Sequence, residues 1–360
     1  MKILYSITKS EIGGAQVHVL ELAKFMKNSG HQVGIVSFPG GWLESESLDK
    51  GIEFFGNPYF SNSFNPFRIL KSFSFVNNLI HSFKPDIVHC HSSFAGVITR
   101  LVVGNRIPTI FTAHSWAFTD GASSFRKIIA PISEKIVSKY TKKIICVSDY
   151  DKQLALRYKI TSPEKLITIY NGIDSGNNLS QKQNSNTFIS VGRLAYPKEF
   201  ELLIESFVRA NLPNKKLEIV GEGSDKEKIL EKIKSLKVED KVSVLGKLSQ
   251  QEVLKKLSES SVFILISKHE GFPMTILEAM STGLPVIASK VGGVPEEIDE
   301  SCGILVSNNV EEISTAITKL SEENTNKKMG EASKRKFEAN FTLEKFLSKT
   351  KKVYDEVLNS

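Results

Sequence analysis

The stretch that decides the fold spans residues 262–289 and reads VFILISKHEGFPMTILEAMSTGLPVIAS. It begins with an apolar run typical of a buried strand, passes through a Gly-Phe-Pro turn, and ends with a second apolar run after Gly283 and Pro285. We expect a strand, a loop, a helix that opens near Thr275, and another strand. This order places the loop and the helix start at the carboxyl end of the first strand, where open α/β sheets bind their ligands.

Two carboxylates frame this loop. Glu270 follows the strand, and Glu278 falls on the first turn of the expected helix, where its oxygens can accept hydrogen bonds from two ribose hydroxyls. The free backbone N–H groups of the helix start suit a diphosphate. Two glutamates eight residues apart would be coincidence by themselves, but the Gly-Phe-Pro turn and the trailing Ala-Met-x-x-Gly-x-Pro-Val-Ile make the segment specific.

The same alternation of strands and helices extends over the rest of the chain and predicts an α/β protein with two parallel sheets. Strands are expected at residues 2–7, 31–38, 86–90, 109–113, 143–147 and 165–170, and again at 188–192, 217–220, 242–245, 262–266 and 285–289. A polar stretch rich in turn residues interrupts the pattern. We therefore predict a first domain at 1–172, a linker at 173–187, a second domain at 188–340, and a final helix within 341–360 that returns to the first domain.

The bulk composition is that of a water-soluble globular protein. The 360 residues are 41% hydrophobic and 24% charged, and no apolar run approaches the roughly 18 residues needed to cross a bilayer. The N-terminus reads as a first strand rather than a signal peptide. Cys90, Cys146 and Cys302 are scattered, which favours buried free thiols in a reducing cytoplasm.

The net charge of +7 is unevenly distributed. Residues 1–170 contain 20 Lys and Arg against 12 Asp and Glu, whereas residues 171–360 contain 27 against 28. A basic first half suggests an anionic partner.

The Glu270–Glu278 segment resembles the signature of the retaining glycosyltransferases of family 4, also called glycosyl transferases group 1. The resemblance covers most of the chain. Its further elements are Gly13-Gly14-Ala15-Gln16, Gly30-His31-Gln32-Val33, Pro85-Asp86-Ile87-Val88-His89, Asn171-Gly172-Ile173-Asp174, Gly192-Arg193-Leu194 with Lys198, Gly221-Glu222-Gly223, Leu245-Gly246 and Gly292-Gly293-Val294-Pro295-Glu296. It implies the GT-B fold, in which two Rossmann-like domains face a central cleft.

The resemblance also implies catalytic roles. Arg193 and Lys198 would neutralise the leaving diphosphate, where negative charge develops. Glu270 would face the donor sugar, and His114, at a strand end of the first domain, would lie near the same sugar. The sequence departs from the family at Glu199, where a small residue is common, and a carboxylate there would repel the diphosphate unless it points away.

The remaining implied contacts bind the donor. Glu278 would hold the ribose, and Gly246 with Lys247 would contact the base largely through the backbone. The loop and helix start would supply backbone N–H groups from Gly271, Phe272, Met274 and Thr275. Glycines between a strand and a helix let the backbone approach a phosphate or an acceptor closely, and this role falls to Gly13 and Gly14.

Several other functions fit poorly. Asp149-Tyr150-Asp151 matches a metal-binding Asp-x-Asp, but its place at a helix start makes capping the better explanation. The histidines and cysteines do not cluster in sequence beyond His89-Cys90-His91, and we expect His18 to be a packing or surface residue. We therefore expect neither a metal nor any other cofactor, the nucleotide sugar being a substrate. No G-x-G-x-x-G loop supports a nicotinamide dinucleotide, and no known module supports nucleic acid.

Two basic, amphipathic segments raise the question of membrane contact. Residues 66–84 and 125–143 carry apolar stripes among Lys and Arg, a pattern that anionic membranes attract. We expect most of the stripe residues to pack on the sheet and a few basic and aromatic side chains to support peripheral contact with the membrane.

The sequence therefore predicts a cytoplasmic, metal-independent retaining glycosyltransferase, acting at the inner face of the membrane. It would move a hexose or N-acetylhexosamine, from a UDP-sugar in preference to a GDP-sugar, to a growing, lipid-linked glycan of the lipopolysaccharide or capsule kind. Two alternatives stay open: a non-catalytic partner subunit that binds sugar nucleotides, and a GT-B epimerase or phosphorylase.

Overall fold

A computed structural model describes residues 1–61, 65–119, 122–174 and 186–359. The chain divides into two compact units, one formed by Met1–Asn171 with Phe346–Ser360 and the other by Gly172–Lys345. Residues 175–185 of the predicted linker lie outside the described residues.

Unit 1 is built on a parallel sheet of seven strands. The strands are β1 (Lys2–Ser6), β2 (Gln32–Ser37), β3 (Glu53–Gly56), β4 (Ile87–His91), β5 (Thr109–Ala113), β6 (Lys143–Cys146) and β7 (Leu166–Thr168). The helices are α1 (Gly14–Asn28), α2 (Trp42–Asp49), α3 (Pro66–Phe83), α4 (Ser93–Val103), α5 (Ser124–Ser138) and α6 (Asp149–Arg157), with a 3-10 turn at Pro163–Lys165.

The strand order of unit 1 is β3-β2-β1-β4-β5-β6-β7. The chain starts in the middle of the sheet, builds outward to β3, and then crosses to β4 on the other side of β1. This reversal is the doubly wound arrangement of Rossmann-like domains, and it brings the carboxyl ends of β1 and β4 together as a ligand-binding position. Strands β4 and β5 are buried along their whole length, as a parallel sheet covered on both faces requires.

Unit 2 repeats the architecture with six parallel strands in the order β10-β9-β8-β11-β12-β13. The strands are β8 (Thr187–Val191), β9 (Lys216–Val220), β10 (Val242–Gly246), β11 (Val262–Leu265), β12 (Val286–Ser289) and β13 (Gly303–Val306). The helices are α7 (Phe200–Ala210), α8 (Lys226–Ser235), α9 (Gln250–Ser258), α10 (Met274–Ser281), α11 (Val294–Glu297), α12 (Val310–Leu320) and α13 (Glu323–Asn340). The last helix of the chain, α14 (Leu343–Leu358), begins in unit 2, but its residues from Phe346 onward belong to unit 1.

The α/β class is confirmed, and the strand–loop–helix–strand reading of residues 262–289 corresponds to β11, α10 and β12. Two strands were missed. Both β3 and β13 are four residues long and lie at the outer edge of their sheet, where a strand needs no long apolar run because only one neighbour covers it.

The final helix, α14, contributes to both units, and Tyr354 anchors its end in unit 1. The Tyr354 hydroxyl lies 2.6 Å from Nδ1 of His89 and donates to the Tyr5 hydroxyl at 3.2 Å. His89 Nε2 lies 2.7 Å from Thr112 Oγ1, so β1, β4 and β5 are all joined to this helix by one buried polar chain.

The two amphipathic segments behave differently. In α3 the stripe packs as expected, with Val76, Ile80 and Phe83 buried. In α5 the expectation is wrong, because Ile128 and Ile132 are exposed and the helix buries Pro131 and Glu134 instead.

No helix among residues 1–61, 65–119, 122–174 and 186–359 combines the length and apolar character that crossing a bilayer would require. Cys90, Cys146 and Cys302 are buried free thiols, as predicted.

Candidate functional site

The loop after β8 is shaped by two close backbone approaches. Leu194 donates its backbone N–H to Glu222 O at 3.0 Å, and Asp225 donates to Leu194 O at 2.8 Å. Gly221 has φ +149°, and a Cβ at that residue would lie 1.9 Å from the carbonyl oxygen of Gly192. Only glycine fits there, so the ends of β8 and β9 lie against each other at Gly192, the residue before Arg193.

Lys198 is positioned by a small set of hydrogen bonds to the segment that follows β11. Glu199 donates its backbone N–H to Ile266 O at 2.9 Å, and Lys268 donates to Pro197 O at 3.0 Å. Lys198 and Ser267 form an isolated antiparallel bridge. These bonds join two loops that are some 70 residues apart in sequence and bring Lys198 to the Glu270 loop.

Lys198 and Glu270, both predicted as catalytic, form an ion pair. Lys198 Nζ lies 2.5 Å from Glu270 Oε1, and their side chains are only 14% and 13% exposed. A pair so shielded from water holds its partners firmly, because separating them leaves an uncompensated charge in a poorly solvated place. Lys198 is therefore held beside the Glu270 loop, with its charge balanced by Glu270.

Glu199, the departure from the family pattern, is turned to other partners. One of its carboxylate oxygens accepts a hydrogen bond from Asn308 Nδ2 at 2.5 Å, and the other lies 3.5 Å from Lys268 Nζ. The carboxylate is thus occupied by a neutral and a positive neighbour. These contacts are compatible with a Glu199 carboxylate that points away from the predicted diphosphate position.

Arg193 is exposed, and no partner for its guanidinium is found in the described ranges of the chain. A cation that no carboxylate balances is free to bind an anion. Lys198 and Arg193 thus present one paired and one unpaired positive charge on the same loop.

The Glu270 loop leads into α10, whose N-cap residue is Pro273 and whose first turn lacks an acidic side chain. The backbone N–H groups of Gly271, Met274 and Thr275 have no acceptor in the part of the chain that the structure describes. Unsatisfied N–H groups at a helix start attract anions. This is the arrangement that the sequence predicted for a diphosphate.

Glu278 lies one turn into α10, half-buried, and no side-chain partner is found for it in the described ranges. Burial raises the pKa of its carboxyl to about 7. A desolvated carboxylate without a protein donor is a natural acceptor for ligand hydroxyls. Its predicted role at the ribose fits this environment.

The segment after β12 supports the Glu270 loop through a glycine pair. Gly292 has φ +55°, and a Cβ there would lie 1.7 Å from the backbone oxygen of Glu270. Gly293 donates its N–H to Gly271 O at 3.0 Å. The two glycines therefore allow the backbones of the two loops to touch.

Glu297 is a residue that the sequence analysis did not identify. It is fully buried at the end of α11, and neither carboxylate oxygen has a hydrogen-bond partner among the described residues. Burial first, and then the charge of Glu270, raise the pKa of this carboxyl well above its ordinary value. The available signal was its position between Val294 and Ile298, on the face of the segment that carries apolar residues.

Gly246 and Lys247 lie at the carboxyl end of β10. Gly246 has φ +74°, and its carbonyl accepts a hydrogen bond from Gly221 N at 2.9 Å. The Lys247 side chain is exposed. The segment predicted to contact the base is thus joined to the same glycine that supports the β8 loop.

The predicted site residues of unit 1 begin with Gly13 and Gly14. Gly14 is the first residue of α1 and Gly13 its N-cap, without a side-chain cap. Gly13 is extended, with φ −176°, a conformation open to any residue. A Cβ at Gly13 would lie 2.8 Å from Oε1 of Gln16, the end of a flexible side chain, so the fold itself does not require glycine there.

His114 lies after β5, within a buried cluster of four histidines with His18, His89 and His91. His114 Nε2 lies 3.0 Å from His91 Nδ1, and His18 Nδ1 lies 3.0 Å from Asn171 Oδ1. Burial, followed by the neighbouring histidines His18 and His89, holds the pKa of His114 well below its ordinary value. The ring is therefore neutral and can exchange hydrogen bonds with a hydroxyl.

The histidines come together in space although they are dispersed in the sequence, and His18, buried against the ring of Phe346, is a packing residue as expected. His89 and His91 are two residues apart on β4, so they share one face of the sheet, and their ring centroids are 4.2 Å apart. The fold adds His18 from α1 and His114 from β5. Ring nitrogens of His18, His91 and His114 lie within 4.8 Å of one another, a separation at which three histidines could hold a metal ion.

The Asp-x-Asp segment forms the start of α6, as expected, although the cap is Ser148. Its hydroxyl accepts the backbone N–H of Asp151 at 3.1 Å. Asp151 is buried, and Asp149 accepts a hydrogen bond from Thr168 Oγ1 at 2.5 Å. The two aspartates have structural partners.

Two Rossmann-like units, with cations and carboxylates at the strand ends of the second, define the chain as a GT-B protein. Sequence models agree: that of Glycosyl transferases group 1 matches residues 175–336, and that of Glycosyltransferase Family 4 matches residues 12–176. The chain belongs to glycosyltransferase family 4.

Individual relatives cover nearly the whole chain. It is 30% identical over 321 residues to the O-antigen biosynthesis glycosyltransferase WbnH of Escherichia coli, with 88% of this chain and 89% of the relative covered. It is 27% identical to a UDP-Gal:alpha-D-GlcNAc-diphosphoundecaprenol alpha-1,3-galactosyltransferase of Escherichia coli, with 97% and 95% covered. A glycosyltransferase structure from Rickettsia africae superposes with a TM-score of 0.82 at 26% identity, covering 99% and 98% of the two chains.

Proposed function

We propose that this glycosyltransferase moves a hexose or N-acetylhexosamine from a nucleotide diphosphate sugar to a growing glycan, with retention of the anomeric configuration. A UDP-sugar is the favoured donor. The relative from Escherichia coli whose name specifies UDP-Gal supports this choice, since its similarity extends over 97% of the chain.

One observation carries the proposal. Within unit 2, a shielded Lys198–Glu270 ion pair lies in the loop after β11, and the same segment leads to the carboxylate of Glu278, to which the described residues offer no partner. A cation, free N–H groups and a lone carboxylate are the partners that a leaving diphosphate, its oxygens and a ribose require.

The chemistry would proceed by stabilisation of the leaving group. As the glycosidic bond to the diphosphate breaks, negative charge grows on the phosphate oxygens, and Arg193, Lys198 and the N–H groups of Met274 and Thr275 balance it. The acceptor hydroxyl's proton would pass to a departing phosphate oxygen. No protein nucleophile is needed, and we propose that no metal takes part. His114 would hold a hydroxyl of the donor sugar, as a neutral ring.

The acceptor side of the proposal rests on the relatives. The names of two of them state O-antigen biosynthesis and a diphosphoundecaprenol acceptor. We propose a lipid-linked glycan of the lipopolysaccharide or capsule kind for this chain as well, which places the enzyme in the cytoplasm at the inner face of the membrane.

The test is a thermal-shift screen of the full chain against UDP- and GDP-sugars, followed by radiolabelled transfer and donor hydrolysis with the sugar that stabilises most. A ligand that binds only the native state raises its melting temperature. Stabilisation without hydrolysis or transfer would favour the non-catalytic subunit. Transfer that survives treatment with EDTA, in protein verified by elemental analysis to hold no metal, would support metal independence.

A further inference from the structure

Helix α5 carries a ridge of exposed apolar side chains. Ile128, Ile132 and Ile136 are 62%, 54% and 51% exposed. They are four residues apart, so they lie in one line along the helix surface. Phe125 and Ile129 are also exposed and widen this α5 ridge.

The opposite face of α5 is fixed to the protein by a buried ion pair. Arg100 on α4 donates from Nη2 to Glu134 Oε2 at 2.7 Å, and both side chains are buried. The guanidinium of Arg100 also lies 4.0 Å from the centre of the Phe111 ring. Rotating α5 to bury the ridge would withdraw Glu134 from its buried cation, which is strongly unfavourable. The ridge is therefore held outward.

The exposed charges of α5 and of the turn after it have one sign. Glu134 is the only acidic residue of α5, and it points inward. Over residues 87–148 the sequence contains only one other acidic residue, Asp120. The exposed charged side chains of α5 and the turn after it are cations: Arg126, Lys135, Lys139 and Lys142.

We propose that the α5 ridge docks on an anionic lipid bilayer, with its isoleucines among the acyl chains and the flanking cations at the lipid phosphates. An exposed apolar line flanked by cations on the same helix is the arrangement of interfacial helices. A second copy of the chain fits less well, because two-fold pairing through this face would bring like charges together. The proposal rests on the proposed function in one respect: it explains how the enzyme would meet a lipid-linked acceptor.

The experiment is flotation of the full chain with phosphatidylcholine vesicles, with and without phosphatidylglycerol. The wild-type protein is expected to float with the anionic vesicles and to remain largely unbound with the neutral ones. Ile128→Ser combined with Ile132→Ser should lower binding at least about tenfold, since two apolar side chains lose their burial. Lys135→Glu with Lys139→Glu should lower it further, because each lost cation costs about fivefold.

Matched controls have the same chemistry elsewhere. Leu48 on α2 is 59% exposed, and Leu48→Ser should leave flotation unchanged. The exposed pair Lys327 and Lys328 on α13 serves as the charge control, with both changed to Glu. All variants alter exposed residues and should keep the wild-type melting temperature.

Two results would overturn the proposal: α5 variants that float as well as wild type, or a wild-type chain that ignores anionic vesicles. A concentration-dependent dimer that the isoleucine substitutions abolish, without vesicle binding, would identify a second copy as the occupant and overturn it too. Stabilisation by UDP-sugars is measured on the same variants. If UDP-sugars stabilise neither the wild-type protein nor any variant while flotation is intact, the proposed function is refuted and the proposed docking surface is retained.

Discussion

Replacement of Lys198 by Ala tests the central element of the proposed donor site. The change removes a cation whose Nζ lies 2.5 Å from Glu270 Oε1 and leaves that carboxylate, 13% exposed, without its partner. The donor diphosphate then loses an attractive charge and meets an unbalanced repulsive one. A single charge contact at 4 Å is worth about 4 kcal/mol at an effective dielectric constant of 20. Since water re-enters the space, we expect a smaller effect, a loss of about 10²- to 10³-fold in kcat.

The assay is transfer of radiolabelled sugar at saturating donor, with melting temperature recorded for each variant. Lys198→Arg should retain much of the activity, because it retains the charge. Lys198→Ala with Glu270→Ala should bind donor better than Lys198→Ala alone, since the unpaired carboxylate is gone. The matched control is Lys226→Ala, which breaks an exposed pair with Glu222 in the same unit at 2.8 Å and should leave turnover unchanged.

Turnover of Lys198→Ala within threefold of wild type, at an unchanged melting temperature, would refute the reasoning. Equal losses of turnover in Lys198→Ala and Lys226→Ala would also refute it, because removal of any positive charge from unit 2 would then explain the effect.

Four further predictions concern the carboxylates of unit 2 and the histidines of unit 1. Glu278→Ala should weaken donor binding at least about tenfold, through loss of hydrogen bonds to a charged group, whereas Glu323→Ala on α13 should not; calorimetric titration with the donor measures both. With the Glu278 carboxyl near a pKa of about 7, donor affinity should rise from pH 6 to pH 8 as the carboxylate forms, and Glu278→Gln should remove this dependence. The raised pKa of Glu297 means that the folded state holds a proton that the unfolded state releases above its ordinary pKa, so stability falls as pH rises from that value toward the folded-state pKa, by up to about 1.4 kcal/mol per pH unit. Glu297→Gln should therefore gain in melting temperature relative to wild type between pH 5 and pH 8, and a constant difference would contradict this sign. We expect His18 and His91 to pack without binding a metal. Cobalt added to the wild-type protein should then produce no d–d absorption band, and a band that His91→Ala abolishes would contradict this.

Much of the local structure of the proposed donor site could be predicted from the sequence because its signals are local. The strand, the Gly-Phe-Pro turn and the start of α10 follow one another along the chain, so the placement of Glu270 and the free N–H groups depends on short-range geometry. Glu278 is separated from the start of the helix by one turn, and helical spacing fixes its place. The same local logic located Arg193 and Lys198 after β8.

The long-range contacts of those residues could not be predicted from the sequence in the same way. The Lys198–Glu270 pair joins residues 72 positions apart, and the turning of Glu199 toward Asn308 spans 109. Glu297 reads as one more surface acid in Gly-Gly-Val-Pro-Glu-Glu, and only packing shows that it is buried. Long-range pairs depend on which loops the sheet order places side by side, and strand order is not a local property.

The apolar pattern of a helix likewise leaves undecided which face of the helix is buried. Both α3 and α5 show stripes of helical period, yet Val76 of α3 is buried and Ile132 of α5 is exposed. The orientation of α5 is decided by Glu134, which must face Arg100. Separating an ion pair this deeply buried would cost a large free energy.

The sequence by itself determined the α/β class and the family, because strand and helix periods and turn chemistry depend on consecutive residues, and it predicts a donor-binding role for residues 270–278. Only the tertiary structure decided which charges meet, that four histidines from α1, β4 and β5 gather in one cluster, and that α5 turns its isoleucines to the surface. These outcomes depend on contacts between residues distant in the chain, and such contacts exist only once the sheet has set the order of its strands.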